Sequence, residues 1–175
     1  MTGARSFAVW ITGLPASGKS SITEALVPLL RAAGSTPAVL ESDRLRSILT
    51  PGASYSSEER DRFYGQMTLF GALLVESGIP VIFDATANRR AYRDRARSLI
   101  EHFVEVYVEC PLDLCIARDP KGIYKAAAAR QATAVPGMQT PYEPPRSPEI
   151  IVDCRADPGG SARQIAARLK QLEYI

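Results

Sequence analysis

Apolar residues along the chain occur in two alternating patterns, one typical of buried strands and the other of helices. Nearly continuous apolar runs, typical of buried strands, occur at 7–12, 37–40, 80–83, 104–108 and 150–152. Helical periodicity occupies the segments between or after them, at 19–33, 57–77, 89–103, 112–118 and 161–172. This alternation predicts an α/β fold with a five-stranded parallel sheet and helices on both faces.

One long stretch, about 120–148, shows neither the strand pattern nor the helix pattern. It starts with a polar run, continues through an alanine-rich middle and ends in a proline-rich run. A stretch of that length inside a compact domain is usually a functional lid or a disordered segment. Since ligands of such sheets bind beyond the carboxyl ends of the strands, we expect this stretch to be a lid over that edge.

Composition narrows the class of protein. The 175 residues are 46% hydrophobic and 23% charged, which fits one domain over 1–175 with its own core. The formal net charge is +2, too balanced for a protein that binds nucleic acid, so any anion site must be local. We find no signal-peptide or membrane-span pattern, and we expect a cytoplasmic protein without a membrane partner.

The cysteines and the histidine argue against a zinc site. Cys110, Cys115 and Cys154 have neither CxxC nor Cys/His metal spacing, and His102 is the sole histidine. We interpret the cysteines as core or surface thiols in a reducing compartment, with a redox role as the less favoured alternative. His102 falls at the end of a predicted helix, and we assign no chemistry to it.

A GxxxxGKS motif follows the first predicted strand and opens the first predicted helix. There, backbone N–H groups can face a β-phosphate, Lys19 can reach the β and γ oxygens, and Ser20 offers a hydroxyl to Mg²⁺. A glycine turn with a chance lysine is the alternative. The motif predicts a P-loop NTPase fold that binds ATP and Mg²⁺ through Gly13, Ala16, Ser17, Gly18, Lys19, Ser20 and Ser21. By itself it does not distinguish a GTPase, an ATPase motor and a small-molecule kinase.

Charged residues follow the second and third strands. Asp43 can accept the proton of an attacking hydroxyl, and Arg46, one turn further, can bind an anionic acceptor. The alternative is a helix N-cap and a solvated arginine, but the position after strand two favours chemistry. Asp84 ends the third strand as a Walker B carboxylate does, which predicts Mg²⁺ binding through water; a turn cap is the alternative.

Tyr55 precedes a long helix whose start carries capping residues. Its loop should overhang the site. The ring then either stacks on a base or packs beneath its own loop, and the sequence leaves both alternatives open.

The P-loop, ESDRLR and the lid ends RDPKGIYK and PYEPP resemble the adenylylsulfate kinase family over nearly the whole chain. The resemblance implies transfer of the γ-phosphate of MgATP to the 3′-hydroxyl of adenosine 5′-phosphosulfate (APS), giving PAPS for sulfate assimilation. It implies Asp43 and Lys19 as catalytic residues and Arg118 and Lys121 as ATP-covering lid residues. For the nucleotide acceptor it implies Asp43, Arg46, Tyr55, Arg62, Thr86, Lys125 and Val135. A homodimer is compatible with the resemblance.

Departures from the family pattern fall on the acceptor side. Val135 stands where the family has a phenylalanine that stacks on the acceptor adenine, and Tyr64 and Gly65 stand where it usually has Glu-Asn. Stacking and hydrogen bonding of a base are each worth about 1–3 kcal/mol. The segment DATANRR, from Asp84, resembles P-loop kinases of the polynucleotide-kinase and gluconate-kinase type.

Two alternatives therefore remain beside phosphorylation of APS. One is a diverged kinase that phosphorylates a hydroxyl of another nucleotide conjugate or of a small metabolite. The other, from a different class, is a nucleotide-binding switch without an acceptor pocket.

Overall fold

The computed structural model describes residues 6–175 as one sheet with helices around it. The strands are β1 (Ala8–Thr12), β2 (Ala38–Glu41), β3 (Val81–Asp84), β4 (Phe103–Glu109) and β5 (Ile150–Asp153). The helices are α1 (Lys19–Ala32), α2 (Ser42–Leu49), α3 (Ser57–Glu76), α4 (Arg90–Leu99), α5 (Leu112–Arg118), α6 (Ile123–Ala128) and α7 (Pro158–Gln171). The strands are parallel in the order β2-β3-β1-β4-β5. The predicted fold, a five-stranded parallel sheet with flanking helices, is confirmed.

Both faces of the sheet are covered, which explains why its strands are mostly apolar. Side chains alternate between faces along a strand. In β1, Val9 and Ile11 join a core cluster that α1 and α7 complete, whereas Ala8 and Trp10 join a second cluster with α3 and α4. All residues of β1 are consequently buried.

Strand register brings three chain segments to one edge. Ile11 of β1 pairs with Asp84 of β3, and Asp84 pairs in turn with Glu41 of β2. The segments after β1, β2 and β3 therefore leave the sheet side by side. These are the segments in which the sequence predicts the P-loop, Asp43 and Thr86.

The lid segment is more ordered than its sequence pattern predicts, since α6 lies within 120–148. Gly122 adopts a left-handed conformation before the helix (φ 67°), and the Asp119 carboxylate accepts a hydrogen bond from the Lys125 backbone N–H (2.9 Å). Alanine has the highest helix propensity. The alanine-rich middle of the lid thus supplies a helix, and the prediction of an irregular stretch is wrong for these residues.

The three cysteines are buried and free. Burial raises the pKa of Cys154 to about 11, well above that of an exposed thiol. Among the helices of residues 6–175, none combines the length and the apolarity needed to cross a membrane.

Gly71 provides a test of the packing between α3 and the sheet. A Cβ at this buried position would overlap the ring of Phe83, which is stacked on Trp10 at 4.5 Å between centroids and has no free space. We expect Gly71→Ala to lower the free energy of unfolding by about 1–3 kcal/mol in a denaturant titration.

Gly65→Ala is the matched control in the same helix. Its Cβ would meet only the guanidinium end of Arg95, 2.7 Å away, which is partly exposed and can move. Here alanine's helix propensity should dominate and raise stability by about 0.5–1 kcal/mol. Equal destabilisation by both substitutions would contradict this account of α3 packing.

Candidate active site

The P-loop turns sharply between β1 and α1. A Cβ at Gly13 would lie 2.8 Å from the backbone oxygen of Val108, so the neighbouring strand β4 leaves space only for glycine. Gly18 and Ala16 adopt positive φ angles of 103° and 62°. This conformation lets the loop wrap around an anion before α1 begins at Lys19.

A cavity of about 570 Å³ opens above this loop. We call it the nucleotide cavity. Of the predicted ATP and Mg²⁺ residues, the structure places around it Ala16, Gly18, Lys19, Ser20, Ser21, Asp84, Arg118 and Lys121. Gly13 and Ser17 do not line it, and the buried Ser17 hydroxyl has no hydrogen-bond partner within residues 6–175.

Lys19 is folded against the loop. Its Nζ donates hydrogen bonds to the backbone oxygens of Gly13 (3.2 Å) and Leu14 (2.8 Å), and its side chain is buried. Burial lowers the pKa of Lys19, while the carboxylates of Asp84 and Asp43 act in the opposite direction. Lys19 is therefore a buried cation close to two acidic groups.

Asp84 is the deepest acidic group of the site. Only 4% of the residue is exposed, and this burial raises the pKa of its carboxyl against the opposing effect of Lys19. Ser20 lines the same cavity. A carboxylate and a hydroxyl beside a phosphate site are oxygen ligands of the kind that Mg²⁺ prefers, so these two residues fit the ion.

Asp43 lies in the first turn of α2 and contacts the lid. Lys121 Nζ donates a hydrogen bond to Asp43 Oδ2 (2.6 Å) and lies 3.8 Å from the carboxylate of Glu41. The hydrogen bond with Asp43 raises the pKa of Lys121. The lid thus meets the proposed catalytic carboxylate through an ion pair.

A second cavity, of about 460 Å³, adjoins the first. We call it the acceptor cavity. Asp43, Thr86 and Lys121 line both cavities and mark the place where they meet. The predicted acceptor residues Arg46, Tyr55 and Val135 line the second cavity as well.

One hydrogen-bond donor of Arg46 has no partner within residues 6–175. It is 6% exposed, its guanidinium lies 3.9 Å from the ring centre of Phe63, and its Nη1 donates to Glu59 Oε1 (2.8 Å). The donor without a partner in that range is its buried Nη2. A buried donor without a partner is costly, which favours an anionic ligand in the acceptor cavity.

Tyr55 stands at the rim of the acceptor cavity. It has a left-handed backbone (φ 56°) and is 42% exposed. The guanidinium groups of Arg46 and Arg60 lie 5.0 and 5.6 Å from its ring centre. The ring is consequently not packed beneath its own loop, and of the two alternatives its position favours stacking on a ligand.

The structure does not bring Arg62 to the cavity. Its side chain is exposed and pairs with Glu58 (3.4 Å) on the outer face of α3. Arg60 lines the cavity instead, because it shares the inner face of the helix with Phe63 and Tyr64, three and four residues further along. Arg60 is not among the residues predicted for the site, although its spacing from these buried aromatic residues identifies it.

Arg60 is held by acceptors from three segments. Nε donates to the Tyr55 oxygen (3.1 Å), Nη1 to Asn88 Oδ1 (3.2 Å) and Nη2 to the Ala134 oxygen in the lid (2.6 Å). Lys125, predicted for the acceptor, is exposed and lines neither cavity. Its backbone N–H instead donates to the Asp119 carboxylate at the start of α6.

The second end of the lid is attached beside β1. Thr12 Oγ1 donates to the Thr86 backbone oxygen (2.7 Å), so its oxygen accepts the proton of the Tyr142 hydroxyl (3.1 Å). Burial raises the pKa of Tyr142, which keeps this phenol protonated. The lid end is therefore fixed to the strand that carries the P-loop.

Comparison with known proteins agrees with this geometry. A curated adenylyl-sulfate kinase from Rippkaea orientalis is 40% identical over 170 residues, covering 95% of this chain and 93% of the relative. One from Microcystis aeruginosa is 40% identical over 174 residues, covering 98% and 95%.

Solved structures give the same result. The APS kinase CysC of Mycobacterium tuberculosis, in complex with AMPPNP and APS, superposes with a TM-score of 0.89 at 30% identity, covering 95% of this chain and 98% of that one. A gluconokinase from Sinorhizobium meliloti shares the fold alone, with a TM-score of 0.63 at 20% identity over 97% and 94% of the two chains. The model of the adenylylsulphate kinase family matches residues 5–153. The chain therefore belongs to the adenylylsulphate kinase family.

Proposed function

We propose that this protein transfers the γ-phosphate of ATP to the 3′-hydroxyl of APS, yielding PAPS. The observation that carries the proposal is the meeting of two cavities at Asp43. One is built around a phosphate-binding loop and the other contains two buried arginines. A nucleotide-binding switch would need only the first. The relative from Mycobacterium tuberculosis, solved with AMPPNP and APS together, supports this assignment of donor and acceptor.

On the donor side, the P-loop backbone and Lys19 bind the β- and γ-phosphates. Ser20 would contact Mg²⁺ directly and Asp84 through water. The ion would neutralise charge on the phosphates. Arg118 and Lys121, which line the same cavity, add positive charge from α5 and the lid.

On the acceptor side, Arg46 and Arg60 are placed to bind the anionic phosphosulfate group, and Tyr55 offers the face of its ring to the adenine. Val135 lines the same cavity without an aromatic ring. The acceptor base thus stacks on Tyr55, and the aliphatic side chain of Val135 adds apolar surface to the cavity.

Asp43 orients the acceptor hydroxyl and accepts its proton. Before it can do so, it must exchange its ion pair with Lys121 for a hydrogen bond to the hydroxyl. The polyphosphate of ATP is the alternative partner for Lys121, because this lysine lines the nucleotide cavity as well. In this way donor binding frees the carboxylate.

We further infer a cytoplasmic location. The three free cysteines support it, because free thiols persist in a reducing compartment.

The proposal is tested by measuring ADP production with APS beside a panel of nucleotides, nucleotide conjugates and polyols. We expect APS to stimulate ATP turnover more than any other compound, with PAPS as the product. Stimulation by a different alcohol alone would instead indicate a diverged kinase. An ADP release rate that no alcohol increases would indicate a switch.

Asp43→Asn preserves the shape of the side chain and removes its basicity. We expect kcat to fall by a factor of about 10²–10⁴, the usual contribution of a general base, while ATP affinity measured by calorimetry changes little. Near-normal turnover in this variant would contradict the catalytic role of Asp43.

A pair of variants tests which arginine of α3 binds the acceptor. Arg60→Ala should raise the KM for APS by about 10- to 100-fold, since it removes a hydrogen-bonding cation from the cavity. Arg62→Ala, which removes an exposed side chain, should leave this KM within about twofold. The reverse order would restore the original prediction for Arg62.

A further inference from the structure

Asn88, in the segment after β3, is buried with 1% of its surface exposed and contacts both α3 and the lid. Its Oδ1 accepts a hydrogen bond from Arg60 Nη1 (3.2 Å), and its Nδ2 donates to the Pro141 oxygen (3.0 Å). Its backbone oxygen accepts from the Glu143 N–H (2.8 Å). One residue therefore connects the acceptor cavity with the second end of the lid.

The two side-chain bonds fix which way the amide faces. The Pro141 oxygen can only accept and the guanidinium of Arg60 can only donate. Asn88 must therefore present its NH₂ group to Pro141 and its oxygen to Arg60. The fixed end of the lid sets the orientation of this oxygen.

The other two partners of Arg60 are backbone oxygens, those of Tyr55 in the loop before α3 (3.1 Å) and of Ala134 in the lid (2.6 Å). Among residues 6–175, Asn88 contributes the one side-chain acceptor of this guanidinium. The oxygen of Asn88 is attached to a segment that is held firmly. Glu143, its backbone partner, also accepts a hydrogen bond from the Arg90 N–H (2.8 Å) through its carboxylate.

We propose that Asn88 is a positioning residue for the acceptor: its amide oxygen sets the orientation of the Arg60 guanidinium in the acceptor cavity. It acts through Arg60 and contacts neither substrate. The inference rests on the proposed function, and it predicts an effect on the acceptor without an effect on ATP.

Two substitutions separate this role from a purely structural one. Asn88→Ala removes the oxygen that faces Arg60, and we expect it to raise the KM for APS about tenfold. The KM for ATP and kcat at saturating APS should stay within about twofold. Asn88→Asp retains an oxygen for Arg60 but places its other oxygen against the Pro141 carbonyl. It should keep the KM for APS within about threefold while lowering the thermal midpoint.

Arg95→Ala is the matched control. Arg95 also links α4 to α3, through Asp61 at 3.1 Å, but it is exposed and lies outside the cavities. It should change none of the kinetic constants. The proposal would be overturned by equal increases in the KM for APS in Asn88→Ala and Asn88→Asp, or by parallel increases in both KM values.

A double-mutant cycle tests whether Asn88 acts through Arg60. In an Arg60→Ala background, Asn88→Ala should raise the KM for APS no further, because the group that it orients is gone. An additional tenfold increase would show that Asn88 acts elsewhere and would reject the proposal.

Hydrogen exchange of the ligand-free protein separates failure of this inference from failure of the proposed function. Asn88→Ala, unlike Arg95→Ala, should accelerate amide exchange in the 131–137 part of the lid, which Arg60 holds at Ala134. If the wild type does not turn over APS yet this exchange difference appears, the proposed function fails and the link through Asn88 stands. If the wild type is active and the exchange is unchanged, the inference about Asn88 alone fails.

Discussion

The register of the three strands β2, β3 and β1 is the constraint on which the site depends. It is a backbone property, set by parallel hydrogen bonding and by the burial of both faces of the sheet. Because Glu41, Asp84 and Ile11 are in register, the P-loop, Asp43 and Thr86 emerge at one edge. A slip by one residue would invert the alternation of side chains in a strand and move its final carboxylate to the opposite face.

Residues whose roles follow from local pattern were predictable. The P-loop is a contiguous motif with its own strand and helix. Asp84 ends β3 and Asp43 lies two residues after β2, so the sheet topology is enough to place them. Arg60 and Arg62 require a second local signal, the phase of their helix. Both belong to the same helix, and only the rotational phase of that helix, set by Phe63 and Tyr64, decides which one faces the cavity.

The role of Asn88, which contacts the lid, could not be predicted from the sequence. Asparagine is a residue type common in turns. The three hydrogen bonds of Asn88, however, connect it to Arg60, Pro141 and Glu143, which are distant from it in the sequence. Such contacts exist only after the sheet, α3 and the lid have come together. A similar limit applied to α6, where alanine-rich composition indicated a helix while the surrounding prolines and glycines indicated a loop.

The alanines of α6 and of the segment after it also affect the thermodynamics of binding. Ala126, Ala132 and Ala134 line the acceptor cavity, and alanine has no side-chain rotamers to lose when a ligand packs against it. A lysine or methionine at such a position would lose up to about 2 kcal/mol of conformational entropy on being ordered. These alanines thus contribute little specific attraction, but they also impose almost no entropic cost when the cavity fills.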